Sequence, residues 1–434
     1  MINRIRITGY KSLRDLELSL PRLTVIFGPN AAGKSNLLDA MALLSRLCTR
    51  RTILEAFEDH RGAPLEAFSV PVGGIEELQQ QTAARFEIEA DVTLGPDVIK
   101  KTQKLTADMR KGLSERGPRH QVMENFLRYR VVVEIVLETG QLRIIDERLC
   151  ALTNKGQEKR SRNALIERVG NRLHLRLEGQ AHPIYHDVGL DHTIVSSPLY
   201  PPHYPHISAL KEEFSRWRFY YLEPNSMRSE PPLKEADTLD QTGKDLAAVY
   251  YTLKHRNPGQ FDAINKALTQ LIPVISSLDV ERTPEGLLRL SVTENGVKFS
   301  SRVISEGTLR ILAMLAILYI PPAPMSVIGL EEPENGVHPR RLSQVATLVS
   351  EAAVVNGTQI IINTHSPHLP EQFDDEFLVC AEKDIGTSKF TPFSSYGPLF
   401  KRQDIVESLN RETSPLDDEP TPLSERILRG DYGD

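Results

Sequence analysis

A chain of 434 residues that is 40% hydrophobic can bury a large core, which excludes wholesale disorder and leaves room for one large α/β domain with an insertion, or for two domains. A formal charge of −6 excludes nucleic-acid binding by bulk charge, so any such contact has to come from a local basic patch. Cys48, Cys150 and Cys380 lie far apart, form no metal-spaced set, and point to a reducing, cytoplasmic compartment.

In chain order, "MINRIRITGY" alternates like a strand and carries no apolar leader core. "DLELSL" is a second alternating strand, and "LTVIFG" is the continuous apolar run of a central buried strand. "KSNLLDAMALLSRL" then places Leu37, Leu38, Met41, Leu44 and Leu47 at helical spacing. These elements make up segment 1–60. Segment 61–202 differs: "RFEIEADVTL", "RVVVEIVLET", "QLRIIDERLCALT" and "LHLRLEG" read as strands, and the polar, basic stretch 100–119 reads as a loop between the first two. The expectation is an inserted, mainly β lobe.

Segment 203–302 has a strand in "SRWRFYYLEP", helices in "KDLAAVYYTLKHR" and "FDAINKALTQLI", and a hairpin in "LLRLSVTENGVKF" turning at Asn295 and Gly296. In segment 303–400, "EGTLRILAMLAILYI", "MSVIGLEE", "PRRLSQVATLVSEAA" and "TQIIINTH" alternate helix and strand, which implies a parallel sheet. "FLVCAEKD" reads as a last edge strand, and 401–434 as a polar tail with a short helix. The apolar run "ILAMLAILYIPPAPMSVIGL" is split by Pro321, Pro322 and Pro324 into pieces too short to span a bilayer, so both are expected in the core and no membrane contact is expected.

"GPNAAGKSN" fits a phosphate loop over 28–35, between a buried strand and a helix. In that context, backbone N–H groups curl round phosphate oxygens, Lys34 reaches the β- and γ-phosphates, and Ser35 offers a hydroxyl to Mg²⁺. "MSVIGLEE" ends a strand in two carboxylates. Successive side chains on a strand diverge, so Glu331 is expected on the metal side and Glu332 towards the attacking water; the plainer alternative is surface ion pairs. Ser305 of "SEGTLR" is an N-cap or, with Gly307, a second phosphate clamp. His365 ends "INTH" as a satisfied core histidine or as a γ-phosphate sensor.

These four motifs, in this order, resemble the ABC-type ATPase heads of the SMC, RecF and OLD group, nearest to the OLD-like ATPases of bacterial defence loci that lack a Toprim nuclease domain. "NRIRITGYKSLRDLELSLPRLTVIFGPNAAGKSNLLDAM" is similar to the start of such a head, and "ISEGTLRILAMLAIL", "GLEEPENGVHPRRL" and "IINTHSPHL" to its signature, Walker B with D-loop, and switch-histidine segments. The resemblance implies a P-loop NTPase head with an inserted β lobe and a short helical subdomain. It implies a nucleotide loop of Asn30, Ala31, Ala32, Gly33, Lys34, Ser35 and Asn36. It makes Ser305 and Gly307 binders of a partner subunit's γ-phosphate, Glu332 the catalytic base, and His365 the switch histidine, with Mg²⁺ at Ser35 and Glu331. Residues 334–338 are implied to meet that partner.

The implied protein is a slow ATPase that forms a homodimer, or higher even oligomer, through composite ATP sites and signals to a separate effector, a nuclease or toxin, in anti-phage defence. The other readings are a RecF-like ATPase that clamps DNA and a scaffold that binds ATP without turnover. Glu331 stands where transporter-like relatives have aspartate. Gln79, Gln80 and Gln81 are candidates for a Q-loop or a polar helix face. No coiled-coil arm is expected, and the stretch after His365 is too short for a Toprim domain.

Two further clusters are open. Lys100, Lys101, Lys104, Arg110, Lys111, Arg116 and Arg119 read as a solvated loop or a DNA-phosphate contact. His182, His186, His192, His203 and His206 are close in sequence, but Pro183 spoils helical ligand spacing for zinc.

Overall fold

The computed structural model describes residues 1–110, 121–178, 183–320, 325–355, 357–396 and 422–428. The chain divides into two compact units. Met1–Pro21, Ser35–Trp217 and Lys383–Lys389 form the first; Arg22–Lys34, Arg218–Glu382 and the described residues from Phe390 onward form the second.

The first unit is built on β1 (Ile2–Tyr10), β2 (Leu13–Ser19), β4 (Ala83–Thr93), β5 (Phe126–Val136), β6 (Gln141–Ala151), β7 (Ile166–Val169), β8 (Arg172–Arg176) and β9 (Pro183–Asp187), while β3 (Leu23–Phe27) belongs to the second. These eight strands form one antiparallel sheet in the order β2-β1-β4-β5-β6-β7-β8-β9. Alternation sends Phe86, Ile88, Tyr129, Val131 and Val133 into the core. The other face carries opposite charges in register, Asp91 across from Arg128 and Glu89 across from Arg130. Helices α1 (Lys34–Thr49, all but its first residue), α2 (Ile53–Phe57), α3 (Gly74–Gln79), α4 (Pro96–Arg110) and α5 (Pro205–Phe214) complete the unit.

The second unit carries most of a six-stranded sheet, order β10 (Trp217–Tyr221), β14 (Val327–Glu331), β15 (Gln359–Asn363), β3, β16 (Leu378–Asp384), β17 (Thr387–Pro392). Its β14, β15, β3 and β16 are parallel neighbours. A small antiparallel sheet joins β11 (Ile275–Arg282), β12 (Leu288–Glu294) and β13 (Val297–Ser300). The helices are α6 (Pro224–Met227), α7 (Leu246–Arg256), α8 (Pro258–Leu271), α9 (Glu306–Tyr319), α10 (Leu342–Val355) and α11 (Leu423–Leu428). α9 is buried along its whole length from Gly307 to Leu318, and the buried hydroxyl of Tyr250 donates to the Leu312 carbonyl at 2.9 Å. Among the described residues no helix is long and apolar enough to cross a membrane.

Three readings change. The strands of 61–202 do not form a sheet of their own: β4 pairs with β1 from Ile2↔Val92 to Thr8↔Glu87 and extends the N-terminal hairpin. Residues 100–110 are helical rather than looped, because Val98, Thr102 and Thr106 supply a buried stripe at helical spacing; 111–120 lie outside the described residues. β16 is not the edge strand, since the Ile385–Gly386 turn, with φ 42° and 76°, leads into β17. β11 was not foreseen, because "ISSLDVER" offers few apolar residues. The Asn295–Gly296 turn is as expected, with φ 49° and 81° between β12 and β13.

Candidate active site

The candidate site lies at the carboxyl ends of β3, β14 and β15, the end of a parallel sheet where α/β folds bind ligands. β3 runs into Gly28, whose φ of 145° and closeness to β16 tolerate no side chain: a Cβ there would lie 2.0 Å from the Ala381 carbonyl oxygen. Ala31 (φ 63°) and Gly33 (φ 93°) then turn the backbone left-handed ahead of Lys34. The first turn of α1 carries no acidic side chain that would offset its positive end. Asn30 and Ala31 are exposed, Ala32 is buried, and Asn36 donates to Ser12 Oγ at 2.8 Å.

Lys34 is 2% exposed. Its Nζ donates to the carbonyls of Gly28 and Pro29, both at 2.7 Å, and reaches His365 Nδ1 at 3.1 Å. His365 Nε2 stands 2.8 Å from Glu332 Oε1. An ammonium can only donate, so Nδ1 accepts and Nε2–H donates to Glu332: the network assigns a neutral imidazole. Burial, then the Lys34 charge, holds the His365 pKa below its usual value, which agrees with that tautomer. Burial also lowers Lys34 to about 8, against the pull of nearby Glu332. The structure thus brings Lys34, His365 and Glu332 into one line of contacts.

Glu332 has φ 46°, an uncommon conformation for a side chain of this size. Its N–H donates to the Asn363 carbonyl at 2.9 Å, Pro333 stops the strand, and Asn335 Nδ2 donates to Glu332 Oε2. Strained backbone of this kind clusters at sites that need a fixed geometry. Glu331 is buried and pairs with Asn363 across β14 and β15, which puts both side chains on one face. Asn363 is 1% exposed, and among the described residues neither its amide oxygen nor its nitrogen has a protein partner. Buried amides seldom lack partners. A buried carboxylate at Glu331 beside an amide that water would satisfy suits Mg²⁺, which keeps several waters and takes carboxylates as ligands. Glu331 could hold such an ion; Ser35 lies in the first turn of α1, in the first unit.

Ser305 and Gly307 stand apart from this line, with no hydrogen bond to Lys34, Glu332 or His365 among the described residues. Ser305 is exposed and caps α9, its Oγ accepting from Thr308 N at 3.3 Å. Gly307 packs on the loop after Glu332; a Cβ there would lie 2.2 Å from the Gly336 carbonyl oxygen. Arg310, one turn on, donates to the Asn335 carbonyl at 2.6 Å and to that of Leu222 at 3.2 Å.

Within 334–338 two residues depart from the expected outward role, Glu334 and the buried Val337. Glu334 is 5% exposed and turned inward, its Oε1 accepting from Thr364 Oγ1 and from Ser366 N at 3.4 Å; Asn335, Gly336 and His338 are exposed. The interior roles of Glu334, Asn363 and Arg310 had no signal in the sequence beyond nearness to a motif.

The other histidines do not converge. His206 is a satisfied core residue: Nε2 accepts from Met123 N and Glu124 N, both at 3.0 Å, and Nδ1–H donates to Glu178. His182 lies outside the described residues, and among those described no group of three or more His, Cys, Asp or Glu is poised to hold a metal. Gln79, Gln80 and Gln81 are exposed on and after α3. The three cysteines are buried, and among the described residues none forms a disulfide.

Comparison with known proteins gives two family matches. Residues 1–88 match the family described as AAA ATPase domain, and residues 166–369 the family described as AAA domain, putative AbiEii toxin, Type IV TA system. The DNA replication and repair protein RecF of Corynebacterium jeikeium (strain K411) is 31% identical over 86 residues; the match spans 19% of this chain and 20% of that protein. Among solved structures, an SMC head bound to the C-terminal winged-helix domain of ScpA aligns over 90% of this chain and 96% of that one, at 16% identity and a TM-score of 0.47. The SMC head domain from Thermotoga maritima aligns over 90% and 98%, at 14% identity and a TM-score of 0.38. An SMC head with an extended coiled coil, bound to the C-terminal domain of ScpA from Pyrococcus furiosus, aligns over 94% and 99%, at 14% identity and a TM-score of 0.45. The two family matches support an ATPase domain, and the RecF segment supports a likeness to RecF over part of it.

Proposed function

We propose that the chain is an ATP-binding and ATP-hydrolysing switch that works as a dimer. The observation that carries this reading is the Lys34–His365–Glu332 line at the mouth of the parallel sheet. ATP would lie along residues 30–36, with Lys34 leaving the Gly28 and Pro29 carbonyls for the phosphates. Glu332, held by His365 and Asn335, would accept the proton of the attacking water. The exposed Ser305 end of α9 would cap the ATP of a second copy, so that closure and turnover are coupled.

Cytoplasmic anti-phage defence, with output to a separate nuclease or toxin, is the setting we favour. It draws on the sequence resemblance to OLD-like ATPases and on the description of the family matched over 166–369. A second reading, an ATPase that clamps DNA, draws on the RecF segment.

Glu332→Gln tests the switch. It keeps the size of the side chain and removes the base, so turnover should fall by at least ~100-fold. With Mg²⁺ and ATP it should elute as a stable dimer in size-exclusion chromatography. A variant that holds ATP and remains a monomer at every concentration tried would sink the composite site.

A further inference from the structure

We propose that Glu334 is the positioning residue for His365: it grips both sides of the 364–366 turn and so aims the imidazole at Lys34 and Glu332. The inference deepens the functional reading above and rests on it for the role of His365. Two turns meet here. Glu332 N binds the Asn363 carbonyl at 2.9 Å, and Val337 N binds the Glu334 carbonyl at 2.8 Å, so the loop after β14 is itself fixed. From that loop Glu334 Oε1 accepts from Thr364 Oγ1 and from Ser366 N at 3.4 Å, while Thr364 Oγ1 accepts from Ser366 N at 2.9 Å. Thr364 is fully buried and its own N–H is bound to the Ile26 carbonyl at 2.9 Å. His365, between the two gripped residues, leaves the backbone from a fixed point, and from there its ring reaches Lys34 and Glu332.

The cost of this arrangement argues for its use. A buried carboxylate without a bonded cation is expensive, and among the described residues Glu334 Oε2 has no hydrogen-bond partner. Burial raises its pKa, as expected for a charge out of water. An apolar side chain would pack there at less cost but would not close the turn from both sides.

The experiment uses the full chain with Glu334→Ala, Glu334→Gln and Thr364→Val, each alone and with His365→Ala. A displaced catalytic group costs up to ~100-fold, so Glu334→Ala should lower kcat roughly 10- to 100-fold while KM for ATP changes by less than about twofold. Glu334→Gln, which keeps an acceptor for both donors, should recover most of that loss. In the His365→Ala background Glu334→Ala should add nothing, because it acts only through the ring. Thr364→Val should follow the same pattern if Glu334→Ala does not fold. Losses that multiply across the two backgrounds, or a kcat that ignores Glu334→Ala, would overturn the proposal.

A second measurement needs no turnover. The ring ¹⁵N resonances of His365 in nucleotide-free protein, assigned with His365→Ala, should shift in Glu334→Ala and in Thr364→Val. Unchanged resonances would overturn the tether. A wild-type chain without ATPase activity would fail the functional reading alone and leave this second result to decide.

Discussion

Removing a carboxylate from water without a bonded cation costs several kcal/mol, and the chain does so at Glu147 as well as at Glu334. Glu147 is fully buried and receives three donors: Ile194 N at 2.6 Å, Val195 N at 3.1 Å and Tyr129 Oη at 2.9 Å. Burial nevertheless pushes its pKa up to about 7. The folded state therefore holds this proton more tightly than the unfolded state between an ordinary carboxylate pKa and about 7. The stabilisation linked to that proton is fully present below the unfolded pKa and is lost as pH rises through the folded one. Glu147→Gln stays neutral throughout and removes the dependence. Its cost relative to wild type should be greatest near pH 4 and should shrink by on the order of 3 kcal/mol by pH 8. Denaturant unfolding of both proteins across that range checks the sign, and a difference that stays constant with pH would refute it.

At the scale of elements, α9 and the loop after β14 behave as one piece. Gly307 lets the helix touch the Gly336 carbonyl, and Arg310 ties the same loop to the Leu222 carbonyl. A Cβ at 307 would meet backbone at 2.2 Å, which no rotamer change can relieve. Gly307→Ala should therefore cost about 1–3 kcal/mol, as overpacking does, and lower the midpoint of thermal unfolding. It should also weaken turnover, because the displaced loop carries Asn335, which holds Glu332. A variant with wild-type melting and wild-type turnover would show that the contact is slack.

How far such elements could be read in the sequence depended on how local their cause was. The strand into Gly28, the Asn295–Gly296 hairpin and the all-apolar α9 each follow from a few adjacent residues. α4 was missed because threonines, Thr102 and Thr106, hold two of its buried positions and the residues around them are charged. The pairing of β1 with β4, and so the single eight-stranded sheet, depends on contacts across most of the first unit that no local pattern encodes. Lys34, Glu332 and His365 were legible as candidates in three separate motifs. Their mutual contacts, and the grip of Glu334 on Thr364 and Ser366, appear only once β14 and β15 lie side by side.

For the molecule as a whole, the choice between a switch that signals to a partner and a clamp on DNA turns on where the positive charge is free. The net charge is −6, and the first unit spends much of its arginine on its own carboxylates. Arg128 is bound to Asp91 at 2.6 Å, Arg130 to Asp146 at 2.6 Å, Arg143 to Glu134 at 2.6 Å and Arg148 to Glu158 at 2.7 Å. Even on α4, Lys101 reaches Glu212 at 2.8 Å. Phosphate contacts made by such residues would first have to break these pairs, so little of this charge is available for the counterion release that drives DNA binding. Duplex DNA should therefore leave ATP turnover unchanged at physiological salt, and any binding should be weak with a shallow dependence on salt. Turnover measured with and without DNA, in wild type and with Lys100, Lys101 and Lys104 changed to Glu, separates the two readings. Stimulation of several-fold that these substitutions abolish would select the clamp, because only residues engaged with phosphate could transmit it.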